Sequence, residues 1–257
     1  MKDAWIQTFL DFQGWQYSVP TEPKLLVLDT RTRRWQSEDN PHHPSGLMNW
    51  EALSEMQQEL MHHDAVIMVS PAPIFGVKLV EIIQGILTLL GFSLAVDAEN
   101  WMAHDEAANT LLNIFKHGST PRHFVILSGD VHYSFVYDIV IRFRKNSPKI
   151  WQITASGLKN EFPHTLLKRL DKLNRFLFHR HSPINWLTKR KRMLIEPRHV
   201  NGKNSHKLYN QSAIGLVKFN SQGAPFAIQL LTSKNQWIEF TPDPDSPIGP
   251  VLLDDPQ

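Results

Sequence analysis

Cysteine is absent from the 257 residues. No disulfide framework can form, and no thiolate is available as a nucleophile or a soft metal ligand. The compartment stays open, because disulfide-free proteins occur on both sides of a membrane. An excess of one charge is also lacking. A formal net charge of +2 is too small to argue for nucleic acid, and no nucleic-acid-binding module accompanies the basic residues. Residues 1–19 have no basic start followed by an apolar core, so no secretory signal is read there. That favours a cytoplasmic protein slightly, or one whose front end is missing. Long hydrophobic runs are nearly absent too. The exception, residues 77–96, approaches the roughly 20 apolar residues that a bilayer span needs. Lys78, Glu81 and Gln84 share one of its helical faces, and Gly85 and Gly91 weaken it. A buried or partner-covered helix is the expectation, with membrane contact the lesser alternative.

What is present fits a globular protein of one or two domains, with 42% hydrophobic and 20% charged residues. KLLVLD (24–29), DAVIMVS (64–70) and FVIL (124–127) read as strands buried on both faces. Helices stand between them. Asn49 caps one whose Trp50, Leu53, Met56 and Leu60 recur at helical spacing. His104-Asp105 opens another, with Trp101, Ala108, Leu111, Leu112 and Phe115 as its apolar side. Residues 135–143 then alternate like a half-buried antiparallel strand, and 149–155 form the next strand. Residues 161–192 are a basic amphipathic stretch, expected to pack one face on the core, with a membrane surface or acidic partner as the alternative. Short strands at 213–219, 225–231 and 236–240 make a meander, and 241–257 a loose tail. The fold class is α/β with a mixed sheet.

The chemistry concentrates in FVILSGDVHYS, residues 124–134. The apolar run ends at Ser128-Gly129, where glycine permits a tight turn. Asp130 and His132 follow at the strand's carboxyl end, where open α/β folds place their sites. An oxygen and a nitrogen donor suit divalent or trivalent metals. The residues alone leave a second reading open, in which Asp130 caps a turn and His132 fills a polar gap. Arg31, after the strand ending at Asp29, has the planar fork that holds two phosphate oxygens, or it belongs to a solvated turn with Arg33 and Arg34. Lys159 and Asn160 follow a glycine turn and could touch phosphate, or form an ordinary loop.

SGDVHYS resembles the closing metal-binding motif of the alkaline phosphatase D (PhoD-like) family of calcineurin-like metallophosphoesterases. LLVLDTRTRRW, VSPAPIFG, DAENWMAHDEA and IWQITASGLKNEFP follow that family's order, covering most of residues 24–163. The resemblance implies the carboxyl-terminal half of a four-layer α/β/β/α sandwich, occupying 1–240, and phosphoester hydrolysis at a two-metal centre of the Ca, Fe, Mn or Zn class. It implies metal ligation by His132, by Asp130 (or its orienting of a ligand) and by Asp29, with Asp130 and His132 also catalytic. It further implies phosphate contacts from Arg31, Lys159 and Asn160, and a pocket lined by Trp101 and His104, with a core Trp and a surface His as the alternative. The Asp-x-His, Gly-Asp-x-x-Asp and Gly-Asn-His-Asp/Glu motifs of the superfamily do not occur among residues 1–123. Two ligands cannot hold a dinuclear site, since each metal needs about four to six donors. The expectation is therefore a fragment, inactive alone and completed by the missing amino-terminal half or a partner chain. Its alternative is a non-catalytic binding module that keeps the half-fold.

Overall fold

The computed structural model describes residues 15–35, 46–80, 82, 100–155, 163–178, 182–187, 190–201 and 206–248. Among them the apolar runs become strands β1 (Tyr17–Val19), β2 (Lys24–Val27), β3 (Ala65–Val69) and β4 (His123–Ser128). Then come β5 (Phe135–Ile141), β6 (Lys149–Thr154), β7 (Met193–Pro197), β8 (His199–Val200), β9 (Ala213–Phe219), β10 (Pro225–Thr232) and β11 (Trp237–Thr241). The helices are α1 (Trp50–Leu60), α2 (Asp105–Lys116) and α3 (His164–Leu177). Asn49 caps α1, its side chain accepting the Ala52 amide at 2.9 Å.

Seven strands form a mixed sheet in the order β1-β2-β3-β4-β6-β5-β7. β2, β3, β4 and β6 run parallel, while β1, β5 and β7 are antiparallel to their neighbours. β4 is the middle strand of the seven. A second sheet, β8-β11-β10-β9, carries the expected meander. The described residues thus stack in three layers: helices, large sheet, small sheet.

Two apolar clusters follow from the strand period of two. Phe124 and Ile126 face the helices, where Leu53, Met56, Leu111, Phe115 and Leu167 meet them. Val125 faces the other way, and with Val136, Trp151 and Ile153 packs on Ile228, Leu230, Ile238 and Phe240 of the small sheet. At about 25 cal/mol per Å² of apolar surface, both clusters drive folding, and together they explain why these strands read as continuous apolar runs.

The double cover changes one expectation. β5 is not half-buried; six of its seven residues are buried, Asp138 included. The Arg198 guanidinium closes on that carboxylate, with Nε at 2.9 and 3.1 Å from its two oxygens and Nη2 at 2.9 Å from Oδ1. Arg198 lies between β7 and β8, where the chain passes from one sheet to the other. Phe143, expected on the apolar side, is fully exposed just past the end of β5, with φ 62°.

Gly223 fixes a second junction between the sheets. Its φ is 76°, and a Cβ there would stand 2.7 Å from both the Ala65 Cβ and the Pro23 Cγ. Only glycine lets the β9–β10 turn approach that end of the large sheet. The expected apolar helix over 77–96 falls mostly outside the described residues. None of the described helices is long and apolar enough to cross a membrane.

Candidate functional site

The parallel register brings the carboxyl ends of β2, β3, β4 and β6 to one rim. Val27 stands beside Val69, Val69 beside Leu127, and Ser128 beside Thr154. The turn beyond β4 lies at the middle of this rim and is tied down on both sides. The Gly129 amide donates to Pro71 O at 3.1 Å, and the Ala155 amide to Ser128 O at 3.1 Å. On the far side Ser134 and Tyr209 exchange backbone bonds of 2.7 and 2.8 Å. Tyr133 is buried between, its phenol pushed well above the usual range by burial.

Asp130 and His132 both project from this anchored turn and are exposed. Their φ angles are 64° and 60°. The left-handed backbone therefore falls on the two polar residues and not on Gly129, whose φ is not positive and whose added Cβ would meet only ordinary contact. For an L-residue this conformation costs about 1–2 kcal/mol, and such strain gathers at functional turns. Among the described residues no hydrogen bond or ion pair engages the Asp130 carboxylate.

A buried polar layer supports the rim from below. Gln152 donates from Nε2 to Ser128 Oγ at 2.6 Å and to Thr154 Oγ1 at 3.3 Å. Its Oε1 accepts the Ile74 and Phe75 amides at 3.2 and 3.4 Å, holding the loop after β3. Ser70 is also buried. Its hydroxyl donates to Ala72 O at 2.6 Å and accepts the Trp101 indole N–H at 2.9 Å. Every side chain here has a partner, as burial requires.

Asp29 occupies the same rim in a different state. It is 3% exposed, and its carboxylate accepts the Trp15 amide at 3.0 Å, the Arg31 amide at 2.9 Å, the Thr32 amide at 2.8 Å and the Thr32 hydroxyl. Burial alone would raise its pKa, but these hydrogen bonds outweigh that and hold it at about 2. The carboxylate closes the β2 turn, and metal ligation would require it to surrender those bonds. It also stands two strands from β4, on the order of 10 Å at the usual strand spacing. The expected Asp29 ligand is thus a turn cap here.

The pKa has a consequence for stability. Because the folded value lies below the unfolded one, Asp29 contributes about 2 kcal/mol above roughly pH 4. That contribution disappears as pH falls from there through about 2. Urea unfolding of Asp29→Ala should show it less stable than the parent by at least that amount at pH 7, the gap narrowing toward pH 2. A gap independent of pH would refute the account.

The other expected residues divide. Arg31 is exposed on the turn after β2, while Arg33 forms a fork with Glu55 (2.5 and 3.3 Å) and Arg34 donates to Thr30 O at 2.9 Å. Lys159 and Asn160 lie outside the described residues. Trp101 and His104 are not pocket walls. Trp101 is core, 1% exposed, and His104 caps α2 by accepting the Ala107 amide at 3.2 Å, its ring 4.3 Å from Trp35. Among the described residues no group of three or more His, Asp or Glu could hold a metal ion. Two exposed donors on one turn do not by themselves complete a metal site.

No family model matches the chain, and no curated protein matches it. Among solved structures the chain is similar to one described as "Structure of PhoD", at 11% identity and a TM-score of 0.42. The similarity covers 93% of this chain and 44% of that one, so the chain spans less than half its length.

A feature the sequence did not announce lies away from the rim turn. Lys78 and the buried Arg190 line a cavity of about 320 Å³ with Tyr137, Asn174 and Glu196. Burial, then the charges of Arg190 and Arg142, bring the Lys78 pKa down to about 8. Its Nζ donates to Asn185 Oδ1 at 2.6 Å. The only signal available was a lysine inside an apolar run.

Proposed function

We propose that this chain is the carboxyl-terminal portion of a PhoD-like, metal-dependent phosphoester hydrolase. The observation that carries the reading is the turn at the middle of the rim, which presents Asp130 and His132 to solvent in left-handed backbone from an anchored base. Left-handed backbone at two polar positions separated by Val131, both side chains facing solvent, is what a ligand-holding turn requires. The motifs quoted above, read in order along the chain, support the same assignment. Asp130 and His132 would supply an oxygen and a nitrogen donor, and Arg31 on the neighbouring turn would grip the phosphate. Bound metals would provide hydroxide at neutral pH and shield charge on the leaving oxygen. The remaining donors come from outside the described residues, chiefly from an amino-terminal half supplied by further chain or by a partner.

A second reading rests on a separate observation. Ile214, Leu231 and Trp237 are in register across β9, β10 and β11, on the face of the small sheet opposite its core. Ile214 and Trp237 are exposed by 65% and 55%. Among the described residues β9 is also the edge strand of this sheet, a position that can pair with a further strand. This surface suits a non-catalytic interaction module, and it equally suits the layer a complete sandwich would add.

One experiment separates them. The 257-residue chain is assayed with p-nitrophenyl phosphate, alone and with an amino-terminal half of the PhoD-like fold supplied in trans, and bound metal is measured in both. Background hydrolysis alone, with metal uptake and turnover on complementation, is expected. Robust turnover by the chain alone would overturn the fragment assignment. Stable complex formation without metal or turnover would overturn the enzyme and leave the interaction module.

A further inference from the structure

α3 carries two apolar faces, and only one is used. Leu167 is buried, and Leu170 and Leu177 pack partly against the helix-side core. Leu166, Leu173 and Phe176 are left in water, 47%, 47% and 78% exposed. At about 100° per residue these three fall within an arc of about 80° beside the core-facing side. Arg169 stands within the arc, Lys172 lies about 40° beyond its edge and Lys168 about 40° further round, all three exposed. The one acidic residue of the helix, Asp171, is turned inward and 4% exposed. The outward surface of α3 is therefore apolar and cationic, with no acid on it.

We infer that α3 is an interfacial helix that lays Leu166, Leu173 and Phe176 into the headgroup region of an anionic lipid bilayer. Side chains of this type sink into the boundary between headgroups and acyl chains, while lysine and arginine stems reach back to the lipid phosphates. The charge pattern selects this occupant over a second copy of the chain, since two such faces brought together would oppose like charges. The outer face of the small sheet is not the natural neighbour either, because it lies across the large sheet from α3. Docking through α3 leaves the outer face of the small sheet open to water-borne partners.

The test is flotation of the full chain with vesicles of phosphatidylcholine alone and of phosphatidylcholine with about one third phosphatidylserine. Binding is expected only to the second, and should weaken with salt. Each neutralised cation should lower partitioning about fivefold, so Lys168→Gln/Lys172→Gln should lose roughly 25-fold. Phe176→Ser should lose more than about tenfold. Both variants alter exposed positions, and unchanged thermal melting verifies that they fold. No flotation of the parent, equal flotation with neutral vesicles, or variants that float like the parent would overturn the proposal. So would a dimer in solution that Phe176→Ser dissolves, which would make a second copy the occupant.

Discussion

Arg198→Met should destabilise the protein by roughly 3–5 kcal/mol, because it leaves the Asp138 carboxylate buried without its counter-charge. Both side chains are nearly closed to solvent, at 4% and 7%. The guanidinium makes three short contacts to the carboxylate and a longer one, 3.5 Å, to Phe240 O on the small sheet. One side chain thus joins β5, the chain crossing between sheets, and β11. For a domain of this size the loss corresponds to a melting temperature lower by on the order of 10 °C. The double variant Asp138→Leu/Arg198→Met should return most of that stability, since replacing a whole buried pair by apolar groups is often neutral or better. Thermal and urea unfolding of the three proteins measure it. A double variant as unstable as the single one would show that the arginine acts by filling space.

Asp130→Gly and His132→Gly should separate function from folding. Glycine accepts φ near 60° without the cost of about 1 kcal/mol borne by other residues, and it loses a comparable amount through its freer unfolded chain. Stability should therefore remain within about 1 kcal/mol of the parent. In the complemented protein, hydrolysis should fall by at least roughly 100-fold for each, as metal sites respond when their donors or supporting groups are removed. A stability loss near that of Arg198→Met would make the turn structural and remove the main support for the catalytic reading. Unchanged hydrolysis would remove it by another route.

Much of the sheet was legible in the residues because burial on both faces writes itself as an unbroken apolar run. β2, β3 and β4 were found that way, and Asn49 and His104 correctly opened their helices. β7 was missed. It is short, contains Glu196 and Pro197, and follows a basic stretch, so neither alternation nor an apolar run marks it. β5 misled for a different reason. Asp138 suggested a wet face, and the arginine that makes its burial tolerable lies 60 residues further on. Long-range charge pairing leaves no local trace.

The site was legible only in part. The position of Asp130 and His132 beyond a central strand followed from sequence, but their strained backbone did not, since Gly129 was the natural candidate for the turn. Asp29 carried the right residue type for a metal. Its saturation by Trp15, Arg31 and Thr32 depends on how the turn closes, which composition does not specify. His104 and Trp101 show the same ambiguity, for a polar aromatic beside a site can be a wall, a cap or a brace.

The Ser70 hydroxyl, wedged between the Trp101 indole and the loop that holds Gly129, has an optical consequence. An indole shielded from water and coupled by one hydrogen bond to the floor of the rim reports on that floor through its emission wavelength. With Trp101→Phe as the blank among eight tryptophans, any occupant of the rim that shifts the loop after β3 would register as a colour change, in unlabelled protein and in real time.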